Sequence, residues 1–183
     1  MAEKPLRADA RRNREKVLRA AREAFAASGY GVPLDEIAAL AGVGPGTVYR
    51  HFPSKEALLE AVAAARVRDL IDDARGRAAD ADPGQAFFGF LGRIRQEAAA
   101  KRDVPEAIAI AGPLQGEMHA ALDNLLRRAQ QAGAVRPEIT TPDIIILLKG
   151  LLRSINDAPP GPASQALADR LLTVVTDGLR PRP

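Results

Sequence analysis

The sequence predicts an all-α protein of about nine helices, with an N-terminal three-helix domain that contains a helix-turn-helix and a C-terminal helical bundle. Apolar residues recur at the three- and four-residue spacing of amphipathic helices, and no stretch shows the alternation typical of a strand. Gly and Pro residues divide the chain into helix-sized pieces. Of the 183 residues, 46% are hydrophobic but only 4% are aromatic, so that Ala, Leu, Ile and Val must build a core of closely packed helices.

The composition excludes several classes of protein. The chain has no Cys, which rules out disulfides and thiolate metal sites, and with no signal-like N-terminus we expect a cytoplasmic protein. The longest strongly apolar stretch, residues 144–152, is interrupted by Lys149 and is too short to span a bilayer, so that we expect no membrane partner.

The first helix, predicted over about residues 9–28, is strongly basic. Its inner stripe is formed by Val17, Ala21, Ala24, Phe25 and Ser28. Against two acids, the segment 4–22 carries eight basic residues, namely Lys4, Arg7, Arg11, Arg12, Arg14, Lys16, Arg19 and Arg22. A basic end on a chain of net charge +3 indicates contact with phosphate, although a solvated helix face or a disordered basic tail is the simpler alternative.

The next segment predicts a short helix followed by a tight turn. The apolar edge of this helix is formed by Leu34, Ile37, Ala38 and Ala41. Gly42 ends it, because glycine enters the left-handed conformation of a tight turn without a Cβ penalty. Val43 is expected to pack back on the helix.

A second short helix follows at once. Pro45 suits its first position, where an N–H is not needed. Val48 and Phe52, one turn apart, face inward and leave a small, polar and positively charged face outside, consisting of Thr47, Arg50 and His51. Two short helices joined by such a turn make a helix-turn-helix, whose second helix is suited to a DNA major groove.

The run GVGPGTVYRHFPSKEALL, residues 42–59, resembles the N-terminal DNA-binding domain of the TetR family of transcriptional regulators. The resemblance covers about residues 8–60, and the remainder matches only in being helical and of suitable length. Two positions depart from the family pattern. Pro33 follows Val32 where Thr or Ser usually caps the first helix of the motif, and Gly44 replaces a common Ser cap of the second.

The resemblance implies a DNA-binding regulator, which we expect to be a repressor released from a palindromic operator by a small-molecule effector. The residues expected to approach base edges are Pro45, Gly46, Thr47 and Arg50. Those expected to hold the phosphate backbone are Tyr49, His51, Lys55, Arg11 and Arg14.

Three regions follow from this interpretation. We expect a DNA-binding domain at 1–53, a connector helix at 54–80 and a C-terminal ligand-binding and dimerisation domain at 81–183. Ser54 is suited to cap the connector helix, which the family uses to transmit ligand binding to the DNA-reading heads. Beyond Pro83, helices are predicted at about 84–101, 117–132, 141–156 and 163–179, with a Gly- and Pro-broken segment at 103–116.

The last two helices carry more apolar residues than one buried face needs. This surplus predicts a homodimer, which also supplies the two recognition helices that a palindrome requires, although central core helices are the alternative. The residues expected at the dimer interface are Ile145, Leu148, Leu152, Leu171, Val174 and Val175.

An apolar effector pocket is predicted between two earlier helices, with ordinary bundle core as the alternative. Its expected lining residues are Phe87, Phe90, Leu91, Ile94, Met118 and Leu122. Nearby cations (Arg93, Arg95, Lys101 and Arg102) either favour an anionic ligand or are merely solvated.

No catalytic or cofactor motif is recognisable. The two histidines, His51 and His119, are not at metal or triad spacing, so we expect no enzyme, no cofactor and no metal site. Three acids at 69–73 are better explained by a solvated face beside arginines than by a metal site. The competing class is a helical ligand-binding or protein-interaction module whose basic first helix contacts an anionic membrane or partner.

Overall fold

The computed structural model describes residues 3–99, 112–157 and 161–181. These ranges form eight α-helices, one 3-10 turn at Gly29–Gly31 and no strand, which confirms the all-α class. The expected number of about nine helices refers to the whole chain, part of which lies outside the described residues. The helices are α1 (Glu3–Ser28), α2 (Leu34–Ala41), α3 (Pro45–His51), α4 (Lys55–Arg77), α5 (Pro83–Ala99), α6 (Gly112–Gln131), α7 (Thr141–Asp157) and α8 (Pro162–Leu179). None of the helices in the described part of the chain has the length and apolarity needed to cross a membrane.

Two helix starts differ from expectation. Helix α1 begins at Glu3, earlier than the expected residue 9. Helix α6 begins at Gly112 and continues through Pro113 and Gly116, whereas these residues were expected to break the chain. The difference arises because proline costs little in a first helical turn, where its missing N–H has no partner to lose. The rest of the expected broken segment lies outside the described residues.

The chain divides into two compact units between Ala65 and Arg66, a boundary that falls inside α4. The N-terminal unit has its own core, in which α1 packs on α2 and α3. Most of the stripe predicted on α1 is buried there, namely Val17, Ala21, Ala24 and Phe25. Ser28 is exposed instead, because α1 ends at this residue and the chain then turns at Gly29, whose φ is +72°.

The turn between α2 and α3 is fixed by backbone hydrogen bonds. Gly42 has a φ of +65°, and its N–H donates to the carbonyl oxygen of Ala39 over 3.1 Å. The N–H of Val43 donates to the carbonyl oxygen of Ala38, also over 3.1 Å. These two bonds complete a Schellman motif, in which the orphan carbonyls of the helix end are satisfied. Val43 packs against the core, as the sequence predicts.

Helix α4 begins at a capped end. The Ser54 hydroxyl accepts a hydrogen bond from the N–H of Ala57 over 3.2 Å, which confirms Ser54 as the cap. Backbone and Ser54 hydrogen bonds at this end lower the pKa of the Glu56 carboxyl. The helix then contributes Leu58 and Val62 to the core of the N-terminal unit.

The C-terminal unit is a bundle in which α5 contacts α6, α7 and α8. Its loops are held by side chains that bond to backbone groups. Arg128 of α6 donates to the carbonyl oxygens of Ala78 and Asp80, just beyond the end of α4. Thr140 and Asp143 cap the start of α7, with 2.6 Å between their side-chain oxygens, and this bonding lowers the pKa of Asp143.

The backbone at Gly42 generates a stability prediction. Gly42→Ala should lower the free energy of unfolding by about 1 kcal/mol, because the left-handed conformation strains any residue with a Cβ. Gly46→Ala is the matched control, since it lies in α3 at ordinary dihedral angles and both positions have open space for a Cβ. The control should keep or raise stability, because alanine favours a helix over glycine. Denaturant unfolding of the full chain, followed by circular dichroism, measures both. Equal losses at the two positions would contradict the assignment of the turn.

Candidate nucleic-acid interface and ligand cavity

Helix α3 turns one side into the protein and the other outward. Val48 is completely buried and Phe52, at the helix end, is 2% exposed, so that both face the core as predicted. Pro45, Gly46 and Arg50 are exposed. Because the first residues of α3 have little or no side chain, this end of the helix can approach another surface closely.

Thr47 and His51 are half-buried, although the sequence predicts both on the outer face. The difference arises because a helix of seven residues that contacts both α1 and α2 has only a narrow fully open side. Tyr49 is 49% exposed. The ring of His51 lies 6.3 Å from the ring of Phe52.

Arg50 is the one exposed cation within α3. Its Nε donates to the carbonyl oxygen of Gly46 over 3.2 Å, which holds the side chain along its own helix. A guanidinium has five N–H donors, and this bond occupies only one of them. The remaining donors form the planar fork that suits paired acceptors such as those on the major-groove edge of guanine.

The candidate phosphate contacts lie on neighbouring helices. Lys55 is half-buried in the first turn of α4, while Arg11 and Arg14 are exposed on α1. Arg11 lies 3.9 Å from Glu15, a contact too exposed to immobilise it. The guanidinium of Arg14 lies 5.3 Å from the centre of the Phe52 ring, a cation–π contact that ties α1 to the end of α3. Arg14 therefore has a packing role that the sequence did not predict.

The C-terminal unit contains a cavity of about 60 Å³ between α4, α5, α6 and α7. Its polar lining residues are Gln115, His119 and Lys149. Its apolar lining residues are Val67, Leu70, Ile94, Met118, Leu122, Ile145, Leu148 and Leu152. A site with mostly apolar walls and a few convergent polar groups is the usual form of a small-molecule pocket.

Half of the residues predicted for a ligand pocket line this cavity. Ile94, Met118 and Leu122 do so, whereas Phe87, Phe90 and Leu91 are completely buried and are not among its lining residues. The four predicted positions on α5, Phe87, Phe90, Leu91 and Ile94, share one face of the helix. Only Ile94, the last of them in the chain, lines the cavity. The earlier three fill the core, where Phe87 contacts Phe88 edge-on with 5.3 Å between ring centres.

Three residues predicted for a dimer interface also line the cavity, namely Ile145, Leu148 and Leu152. In a helix that is apolar nearly all round, sequence periodicity does not tell the inner face from the outer one. The opposite side of α7 carries exposed Ile146 and Leu147, and α8 carries exposed Leu167 and Val174. Ile146 and Val174 are each 69% exposed, and the predicted Leu171 and Val175 are half-buried.

Two of the four cations expected near the pocket form ion pairs with carboxylates. Arg93 forms an ion pair with Glu97, and Arg95 lies 3.0 Å from Asp169. Lys101 and Arg102 lie outside the described residues. On α4, Asp72 and Asp73 pair with Arg75 and Arg77, as expected of a solvated helix face.

Two models of known protein families match this chain, one within each of its two units. The model of the tetR family of bacterial regulatory proteins matches residues 17–62, and that of the SbtR-like transcriptional regulator C-terminal domain matches residues 82–181. The chain is 29% identical over 154 residues to the HTH-type transcriptional regulator UidR of Escherichia coli strain K12. That alignment covers 74% of this chain and 76% of UidR.

Two solved structures are similar over almost the whole chain. A TetR transcription regulatory protein from Mycobacterium vanbaalenii is 42% identical, with 97% of this chain and 100% of that chain covered and a TM-score of 0.76. A TetR transcriptional regulator from Streptomyces coelicolor is 34% identical, with 93% and 99% covered and a TM-score of 0.74. The helix-turn-helix geometry, the helical C-terminal unit and these matches show that the chain belongs to the TetR family of DNA-binding transcriptional regulators.

Proposed function

We propose that this regulator is a repressor that binds a palindromic operator as a homodimer and is released by a small-molecule effector. It acts by binding and not by catalysis, and because its partner is double-stranded DNA we place it in the cytoplasm. The regions 1–53, 54–80 and 81–183 serve as DNA-binding domain, connector and effector-binding domain. The observation that carries the proposal is the outward side of α3, where exposed Arg50 follows a helix start made of Gly44, Pro45 and Gly46.

This side of α3 suits a major groove. Pro45, Gly46, Thr47 and Arg50 would approach the base edges, with Arg50 reading a guanine through two of its free N–H donors. Tyr49, His51, Lys55, Arg11 and Arg14 would hold the phosphates and fix the register. Gly44 and Gly46 offer no side chain to the bases, so sequence preference depends mainly on Arg50 and Thr47.

The apolar surface of α7 and α8 supports a dimer. Ile146, Leu147, Leu167 and Val174 leave a large apolar area in water on two helices that contact each other. Soluble monomers rarely expose such a patch, and burying it against its copy forms a two-fold, four-helix contact. A two-fold dimer presents two recognition helices, as a palindromic operator requires.

The cavity supports effector control. Val67 and Leu70, in the second half of α4, form part of its wall, and the first half of the same helix belongs to the core of the N-terminal unit. At about 60 Å³ the cavity is smaller than the ~150 Å³ that holds benzene in a protein core. A ligand must therefore displace wall residues, and a shift of α4 would change the spacing of the two DNA-reading heads. Release requires that the effector bind the DNA-free state more tightly.

Arg50→Ala tests the reading face. We expect operator affinity to fall by about 5- to 150-fold and the preference at one base pair in each half-site to disappear. Gel-shift titrations on an operator selected from random DNA, and on its single-base variants, measure both effects. Arg127→Ala, which removes an exposed arginine from α6, should change neither. If the Arg50→Ala protein kept its operator affinity and its base preference, the proposal that α3 contacts the bases would be wrong.

Lys55→Ala tests the phosphate contacts separately. Because a phosphate carries no sequence information, we expect weaker binding to all DNA sequences alike. The slope of log affinity against log salt should become shallower by about one. A variant that lost preference for the operator but kept its salt slope would place Lys55 at a base edge.

Ile146→Glu and Val174→Glu test the dimer. A carboxylate in an apolar interface costs several kcal/mol, so each variant should sediment as a monomer and bind the operator weakly. Leu40→Glu is the matched control, because Leu40 of α2 is 61% exposed and lies on the N-terminal unit. The control should sediment like the unmodified protein. Dimers of unchanged stability in all three variants would exclude this surface as the interface.

A further inference from the structure

The polar groups of the cavity share one chemical character. Gln115, His119 and Lys149 can all donate hydrogen bonds, and Lys149 adds a positive charge. Among the lining residues that the structure describes, none is Asp or Glu. The cavity thus combines apolar walls with three side chains that can donate hydrogen bonds, one of which is positively charged.

The donors come from two helices that contact each other. Gln115 and His119 are one turn apart on α6 and so share a face. Lys149 lies one turn after Ile145 on α7, and both line the cavity. All three donors therefore belong to the two adjoining walls that α6 and α7 contribute to the cavity.

Lys149 marks the mouth of the cavity. It is exposed, whereas its neighbours Leu148 and Leu152 are buried. A lysine in this position lays its aliphatic stem on the apolar wall and keeps its ammonium in water. His119 and Ile145 also line an open pocket beside Asp123 and Thr141, so the cavity is next to a route from solvent.

Lys149 also differs from three arginines of the C-terminal unit. Arg75, Arg93 and Arg95 each form an ion pair with a carboxylate. Lys149 has no carboxylate partner within the described part of the chain. Its charge is therefore available to a bound anion.

We propose that the cavity binds a small, mainly apolar monocarboxylate. The hydrocarbon part lies between Ile94, Met118 and Leu122, and the carboxylate lies at the mouth against Lys149, with His119 and Gln115 as further donors. This inference rests on the proposed role of the cavity as the effector site and adds the chemical class of the effector. Because the cavity is smaller than one that holds benzene, even one ring or a short chain must displace wall residues, and we expect a hydrocarbon part of about that size.

Calorimetry on the full chain tests the class with two matched pairs of probes, hexanoate against hexan-1-ol and benzoate against benzyl alcohol. Each acid should bind at least about fivefold more tightly than its alcohol. Lys149→Gln should remove this preference without changing the affinity for the alcohols, and Lys149→Arg should retain it. Arg68→Gln, which removes a positive charge from an exposed position of α4, should have no effect.

The outcomes separate the ligand class from the site. If acids and alcohols bind equally and Lys149→Gln changes neither, the monocarboxylate assignment is overturned while the effector cavity stands. If no probe binds at millimolar concentration, both the assignment and the proposed effector role of the cavity are overturned.

Discussion

The packing of α3 against α1 and α2 through Val48 and Phe52 determines which side of α3 faces outward. Those two side chains are almost completely buried, and a helix of seven residues has no other means of fixing its rotation. The turn at Gly42 sets the residue at which α3 begins. Its two backbone hydrogen bonds, from Gly42 and Val43 to the end of α2, fix the path of the chain between the two helices. Once the inner side is fixed, Arg50 must lie on the outer one. The outward position of Arg50, on which the proposed reading face depends, is thus a consequence of core packing.

Helix α4 gives the protein a second constraint, because one continuous helix is shared by two cores. Leu58 and Val62 are buried in the N-terminal unit, while Val67 and Leu70 line the cavity of the other. A helix is stiff along its axis, so if the proposed effector shifted Val67 or Leu70 together with their backbone, α4 would carry that shift along its length. The side-chain bonds of Arg128 to the backbone beyond α4 oppose such movement at one end. In the proposed mechanism, this shared helix is the element that would transmit ligand binding to the N-terminal unit.

The sequence predicts best what is determined locally. Gly42, Val48 and Ser54 were predictable because a turn, an i to i+4 pair and a cap each depend on a few neighbouring residues. Contacts between distant segments were not, such as Arg14 over Phe52. Helical faces were the other difficulty. Periodicity placed Phe87 and Ile94 on one stripe but could not tell which of them reaches the cavity. On the almost uniformly apolar α7 it could not distinguish the inner Ile145 from the outer Ile146.

The central claim is that α3 enters the major groove with Arg50 against a guanine. Methylation interference tests it most directly, since a methyl group on guanine N7 occupies the major-groove edge that Arg50 would contact. On an operator selected from random DNA, methylation of one guanine in each half-site should block binding of the unmodified protein. The same methylation should have no further effect on the Arg50→Ala protein. Binding that tolerates every N7 methyl group in the operator would contradict the account.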